Sequence, residues 1–197
     1  MKKTMLKLGV IALTLVMVLA CLAACGGNST SGSSDANMDA NMDANMKVYN
    51  FNGTSFKYPA NFSFVSETET LTMLMDMSTG DAISATSVSI DTTDDEIAEM
   101  KAKLENGENM FTADIPSNYT IEEFYAEQMG VDVNDVKVTV INNTTLKVAF
   151  ERVDIYTAYC TSIISYVIDG PNNVVHYNTV AVVETNSDYS LASKVFG

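Results

Sequence analysis

From residue 47 onward the chain is written mostly in short runs of alternating apolar and polar residues, broken once by two stretches with helical spacing. Val48–Phe51 and Thr54–Tyr58 flank Asn52-Gly53, a strong hairpin signal, and Pro59 closes the second strand. Leu71–Met77 and Ala82–Ile90 flank Ser78-Thr79-Gly80-Asp81 and predict a second hairpin. A helix is then announced by Thr93-Asp94-Asp95-Glu96, which has capping-box spacing and an acidic first turn that complements the helix dipole. Ile97, Met100 and Leu104 form its apolar stripe, Glu99 and Lys103 an i,i+4 pair, and Asn106-Gly107 its stop. A second helix repeats the grammar: Thr120-Ile121-Glu122-Glu123 as capping box, Ile121, Phe124, Tyr125 and Met129 as buried face, Gly130 as stop. Val136–Ile141 and Thr145–Arg152 then join through Asn142-Asn143, Ile155–Ile168 and Val174–Glu184 join through 169–173, and a short helix spans about Asp188–Phe196. Strands, two helices, strands and a last helix predict an α+β fold: a mainly antiparallel sheet with two or three helices packed on it.

The first 46 residues follow different rules. Lys2, Lys3 and Lys7 precede an apolar stretch from about Leu8 to Ala24, the layout of an export signal. That stretch is short and wrongly flanked for a spanning helix of roughly 20 apolar residues. It ends in Leu22-Ala23-Ala24-Cys25, which resembles the lipobox of bacterial lipoproteins at all four positions. The resemblance implies cleavage before Cys25, lipidation of its thiol, and attachment to the extracytoplasmic face of the cell membrane. A cut before Cys21 fits less well, because bulky Leu19 stands where a small residue is usual. Gly26–Ser34 has the composition of a flexible tether, and Asp-Ala-Asn-Met then occurs three times, at 35–38, 39–42 and 43–46. Three such short repeats cannot bury an apolar face, so 25–46 is expected to be a lipidated, disordered spacer. The chain thus divides into a signal peptide (1–24), a tether (25–46) and one globular domain (47–197).

Charge narrows the partners. The chain carries a formal −14, and without the three leader lysines eight Lys+Arg face 25 Asp+Glu, or −17. Such a surface argues against nucleic acid and against electrostatic docking on anionic lipid. With Cys21 removed and Cys25 lipidated, Cys160 is the one thiol of the domain, so its core must hold it without a disulfide.

A second resemblance covers roughly 56–196. Phe56-Lys57-Tyr58-Pro59-Ala60-Asn61-Phe62 looks like the "f-x-y-P-x-x-W" opening of PsbP-like domains, with Phe62 where tryptophan is usual. Thr120-Ile121-Glu122-Glu123-Phe124-Tyr125 looks like their "s-l-e-e-y" helix start, and the late paired strands and the Ser-Lys-Val-Phe ending also fit. The resemblance implies an αβα sandwich of the kind found in exported lipoproteins, and it carries no catalytic residues to transfer.

The residues that bear chemistry are few. His176 is the only histidine, which removes Ser-His-Asp, Cys-His and two-histidine zinc arrangements that do not use it; inside a strand it reads as a hydrogen-bonded structural residue. Cys160 alternates in phase with Ala158, Ile164, Tyr166 and Ile168, so it is expected to face the core, far from the cationic setting a reactive thiol needs. Met73, Met75 and Met77 share one face with Leu71 in strand phase. A thioether row suits Cu(I), yet methionine also fills cores, and core packing is the favoured reading. Met38, Met42 and Met46 read as parts of the spacer. Asp91, Asp94, Asp95 and Glu96 lack calcium-loop spacing, and the capping box already accounts for Glu96. Tyr156, Tyr159, Tyr166 and Tyr177 could edge a cleft or be ordinary strand residues. Phosphate-loop, dinucleotide and Gly-x-Ser-x-Gly patterns are absent from the sequence.

The expectation is therefore a membrane-anchored, extracytoplasmic, non-catalytic binding module. It would have no cofactor, would meet the bilayer through acylated Cys25, and would bind a protein or small molecule rather than nucleic acid. A metal-handling lipoprotein using methionine or carboxylate ligands is the alternative.

Overall fold

The computed structural model describes residues 45–112, 115–153 and 157–197. They form an α+β fold built on one seven-stranded sheet in which every pairing is antiparallel. The chain opens with a separate hairpin, β1 (Met46–Phe51) and β2 (Thr54–Pro59). Strands β3 (Ser63–Glu67), β4 (Leu71–Met75) and β5 (Ala82–Asp91) follow. Helices α1 (Asp94–Glu105) and α2 (Ile121–Met129) carry the chain to the far edge of the sheet. There β6 (Val136–Asn142), β7 (Thr145–Val153), β8 (Thr157–Asp169) and β9 (Val174–Glu184) run back toward the middle, and α3 (Ser190–Phe196) ends the chain. The order β3-β4-β5-β9-β8-β7-β6 places β9 between the two halves.

Both capping boxes form as the sequence predicts. Thr93 accepts from the Glu96 N–H and Thr120 from the Glu123 N–H, while each glutamate side chain reaches back to the cap backbone. Gly130 ends α2 in the left-handed region, at φ 67°, where a side chain would be strained. At the first hairpin Asn52 and Gly53 take φ 47° and 82°, the two positive values a two-residue primed turn needs. A Cβ on Gly53 would also sit 2.8 Å from Val167 Cγ1, because the hairpin tip lies directly on β8.

The two faces of the sheet are covered differently. Alternate residues of β9 point to opposite sides. Val175, Tyr177 and Ala181 join Leu146, Val148, Phe150, Ile164 and residues of α1 and α2 in one core. Val180 and Val182 join Leu74, Ile83, the hairpin aromatics Phe51, Phe56 and Tyr58, and Leu191, Ala192 and Val195 of α3 in the other. Helices thus lie on both faces, and the hairpin shares the second face with α3.

Three expectations from the sequence need correction, and one strand lies outside them. Strand β4 stops at Met75 instead of Met77. The Asp76 carboxylate accepts from the Ser78 N–H at 2.8 Å and the Ser78 hydroxyl at 2.6 Å, and its carbonyl accepts from Gly80 N–H, so the chain turns early. Met46 is the first residue of β1, paired with Pro59, so the last methionine of the repeat belongs to the fold. Strand β3 was not foreseen, since its bulge at Val65 breaks the period of two. The last helix begins at Ser190, because the Asp188 side chain holds the Ser190 N–H in a turn ahead of it.

Candidate functional site

Few of the chemistry-bearing residues meet. Met73 and Met75 share the helix-side face of β4 and are half-buried, but Met77 is 77% exposed in the turn, so the row of three is broken. Among the described residues there is no cluster of three or more His, Cys, Asp or Glu side chains placed to hold a metal ion. His176 is half-buried at the start of β9, with Nδ1 3.0 Å from the Ser89 hydroxyl. Cys160 is 2% exposed within the helix-side core, as its strand phase predicts. Tyr166 is a core residue, its ring centroid 4.9 Å from Phe111 and 5.1 Å from Tyr177, and Tyr159 stacks edge-on with Tyr189 at 5.6 Å, so these rings pack on one another. Cys25, Met38, Met42 and Tyr156 lie outside the described residues.

What the structure does bring together is a buried polar row on the hairpin side. Ser87, Asn178 and Ser165 stand opposite one another across β5, β9 and β8, all buried. Asn178 is fully buried, and its amide nitrogen donates to the Asn52 carbonyl at 2.8 Å and to Thr54 Oγ1 at 2.8 Å. Thr54 Oγ1 also lies 3.0 Å from Ser165 Oγ. The row therefore fastens the hairpin tip to the sheet.

Six residues further along the same strand, Glu184 does the same for α3. It is 2% exposed, and its two carboxylate oxygens accept from the Leu191 N–H at 3.0 Å and the Ala192 N–H at 2.9 Å. The helix needs this, because Tyr189 at its N-cap supplies no side-chain acceptor. Burial pushes the Glu184 carboxyl above its ordinary value, the two N–H groups pull it down, and the charges of Asp81 and Asp188 add to the rise.

Between these two fastenings the cover does not close. A cavity of about 170 Å³ opens there, walled by Thr54, Ser55 and Phe56 of β2. Ile163 and Val180 form its sheet side, and Val195 and Phe196 of α3 the opposite wall. Ile141 stands at the edge. It is the extra residue of a β-bulge between Val140 and Asn142, and is 53% exposed. The arrangement offers an apolar space with a few hydroxyls, and no acid–base pair lines it. None of this was visible in the sequence, because the walls come from five segments up to 142 residues apart.

The chain matches no protein-family model and no curated protein at a significant level. Among solved structures it is similar to the Saccharomyces cerevisiae Ran-binding protein Mog1p, at 12% identity and a TM-score of 0.34, over 76% of this chain and 82% of that one. A likeness at that level carries no argument about function. Among the described residues no helix is long and apolar enough to cross a membrane.

Proposed function

We propose that this chain is a lipid-anchored, extracytoplasmic binding module with no catalytic activity of its own. The observation that carries the proposal is the leader ending in Leu22-Ala23-Ala24-Cys25, followed by a polar repeat spacer and a single domain. With β1 starting at Met46, a flexible segment of 20 residues would separate the anchor from the fold, a root-mean-square reach of about 25 Å. Two acyl chains on Cys25 would hold that end stably, each buried CH₂ contributing about 0.8 kcal/mol. The PsbP-like motifs of 56–196 support the same reading.

For the binding half of the proposal, support comes from the hairpin side: an apolar cavity, with exposed Ile141 of the free edge strand beside it. A protein or small-molecule partner fits such a surface, and the acidic charge of the domain disfavours nucleic acid.

Labelled palmitate fed to cells expressing the chain tests the anchor. The full chain should take up label and sediment with membranes, and Cys25→Ser should do neither. A Cys25→Ser chain that keeps its label sinks the lipid-anchor reading. Cross-linking in cells then tests the partner.

A further inference from the structure

The geometry points to the hairpin-side cavity as a binding site for a small, neutral, mostly apolar molecule carrying one hydrogen-bonding group, such as a phenol or an aromatic alcohol. The inference deepens the binding-module reading and rests on it for its purpose, though not for its chemistry.

Size sets the first limit. An engineered 150 Å³ apolar cavity accepts benzene, so a space of about 170 Å³ suits a single ring or a short branched chain. Charge sets the second. No ionisable side chain lines the wall, and a charged ligand would lose its hydration with nothing to replace it. Phe56, Ile163, Val180 and Val195 supply apolar surface for the body of the ligand.

Polarity sets the third limit. Thr54 Oγ1 has one proton and two lone pairs. One lone pair takes the Asn178 amide proton, and the bond to Ser165 uses either the Thr54 proton or the second lone pair. Whichever way the Thr54–Ser165 proton lies, one valence of Thr54 remains: an acceptor in the first arrangement, a donor in the second. A hydroxyl on the ligand can meet either. Behind it, Asn178 Oδ1 and Ser87 Oγ are buried without partners, so the hydroxyl network on this side is incomplete as it stands.

The entrance has a structural cause too. Edge-strand bulges re-aim a side chain out of the ladder. Here the bulged residue is Ile141, which lines the opening instead of pairing with β7.

The test is a phenol titration of the full chain followed by backbone amide NMR shifts, with toluene and benzoate as comparison probes. Saturable shifts centred on Thr54, Ile163, Val180 and Phe196 are expected with phenol, and binding at least about tenfold weaker with benzoate. Thr54→Val should weaken phenol about tenfold more than it weakens toluene, because both probes share any loosening of the hairpin wall and only phenol loses a hydrogen bond. Ile141→Asp, a change at an exposed position that should leave folding intact, places a charge at the opening and should weaken both neutral probes. The proposal is overturned if phenol gives no saturable shift, if benzoate binds as well as phenol, or if Ile141→Asp leaves the phenol affinity unchanged. Palmitate labelling and cross-linking report separately, so a failed titration with a labelled, cross-linked chain removes the cavity ligand and leaves the anchored module standing.

Discussion

The two faces of the sheet are held down by different means, although the same strand runs beneath both. On the helix side, α1 and α2 settle on Leu146, Val148, Phe150, Ile164 and Tyr166 in a largely apolar core. The buried hydroxyls there, Ser162 Oγ and Thr179 Oγ1, bond to no covering element. On the hairpin side, β9 reaches up twice: Asn178 to the hairpin tip and Glu184 to the first N–H groups of α3. Helix α2 stays in place through Tyr125, Ala126 and Met129, and α1 through Ile97. The hairpin and the seven-residue α3 bury Phe51, Phe56, Tyr58, Leu191, Ala192 and Val195 as well, yet a two-stranded hairpin alone is marginal in water and α3 has no side-chain cap of its own. Polar fastenings fix such short elements at points, and between the points space is left over. The cavity is the consequence.

The largest effect should fall on the helix side. Phe150 is 2% exposed at the centre of that core, and Phe150→Ala should cost about 4 kcal/mol of global stability through lost burial and the cavity left behind. Urea unfolding measures it, with the slope unchanged if the transition stays two-state. A loss below about 1 kcal/mol would mean the helix face is not the main apolar core, and the contrast between the faces would collapse.

Glu184 comes next. Glu184→Ala leaves two buried N–H groups of α3 without an acceptor, for a loss of about 3 kcal/mol. The pH dependence sharpens the assignment. Below the unfolded value of 4.5, folded and unfolded chains both hold the proton. As pH rises, the unfolded chain releases it first, so stability falls until the folded carboxyl, raised by burial, ionises as well. Measured against Glu184→Gln, which keeps the shape without titrating, the wild type should therefore lose ground as pH climbs past 4.5. An unchanging difference across that range would show that burial does not dominate the environment of this carboxyl.

That contrast also explains what could be read from the sequence. Both capping boxes, the Asn52-Gly53 turn and the bounds of Val174–Glu184 are local patterns, and each appears where the sequence puts it. The helix-side core follows from them, since strand phase and helical stripe select the same residues. Met77 was misplaced because an aspartate turn overrode a continuing alternation, and β3 was missed because a bulge hid one. The hairpin side was almost illegible for a different reason. Its decisive contacts join Asn178 to Asn52 and Thr54, 126 and 124 positions apart, and nothing in the spacing of polar residues announces such a pair. Among the described residues, the metal and tyrosine candidates do not converge on a site. The residues that do form one, Thr54, Ile141, Ile163 and Phe196, had looked like ordinary strand and helix residues.

Asn178→Ala should be milder and more local. It removes two donor bonds to the hairpin tip and the unpartnered Oδ1 together, so the cost should be about 1.5 kcal/mol. Its signature is faster amide exchange in 46–59 than in β7 and β8, because the hairpin can lift while the sheet stays paired. Uniform acceleration across the sheet would show that the row supports the whole core instead of fastening one element.

The smallest change completes the comparison from the other side. Thr93 and Thr120 sit exposed at the starts of α1 and α2, and each satisfies an N–H that would otherwise face water. Thr120→Ala should cost about 1 kcal/mol, and Thr93→Ala about the same. Because these caps bond within their own helices, neither change should alter exchange in the hairpin or in α3. Glu184 caps a helix as well, but from the sheet, so its loss both frays α3 and frees it from the core. If Thr120→Ala proves as costly as Glu184→Ala, capping chemistry alone explains both. If it stays near a third of that cost, the excess at Glu184 measures what attachment to the sheet adds to a cap.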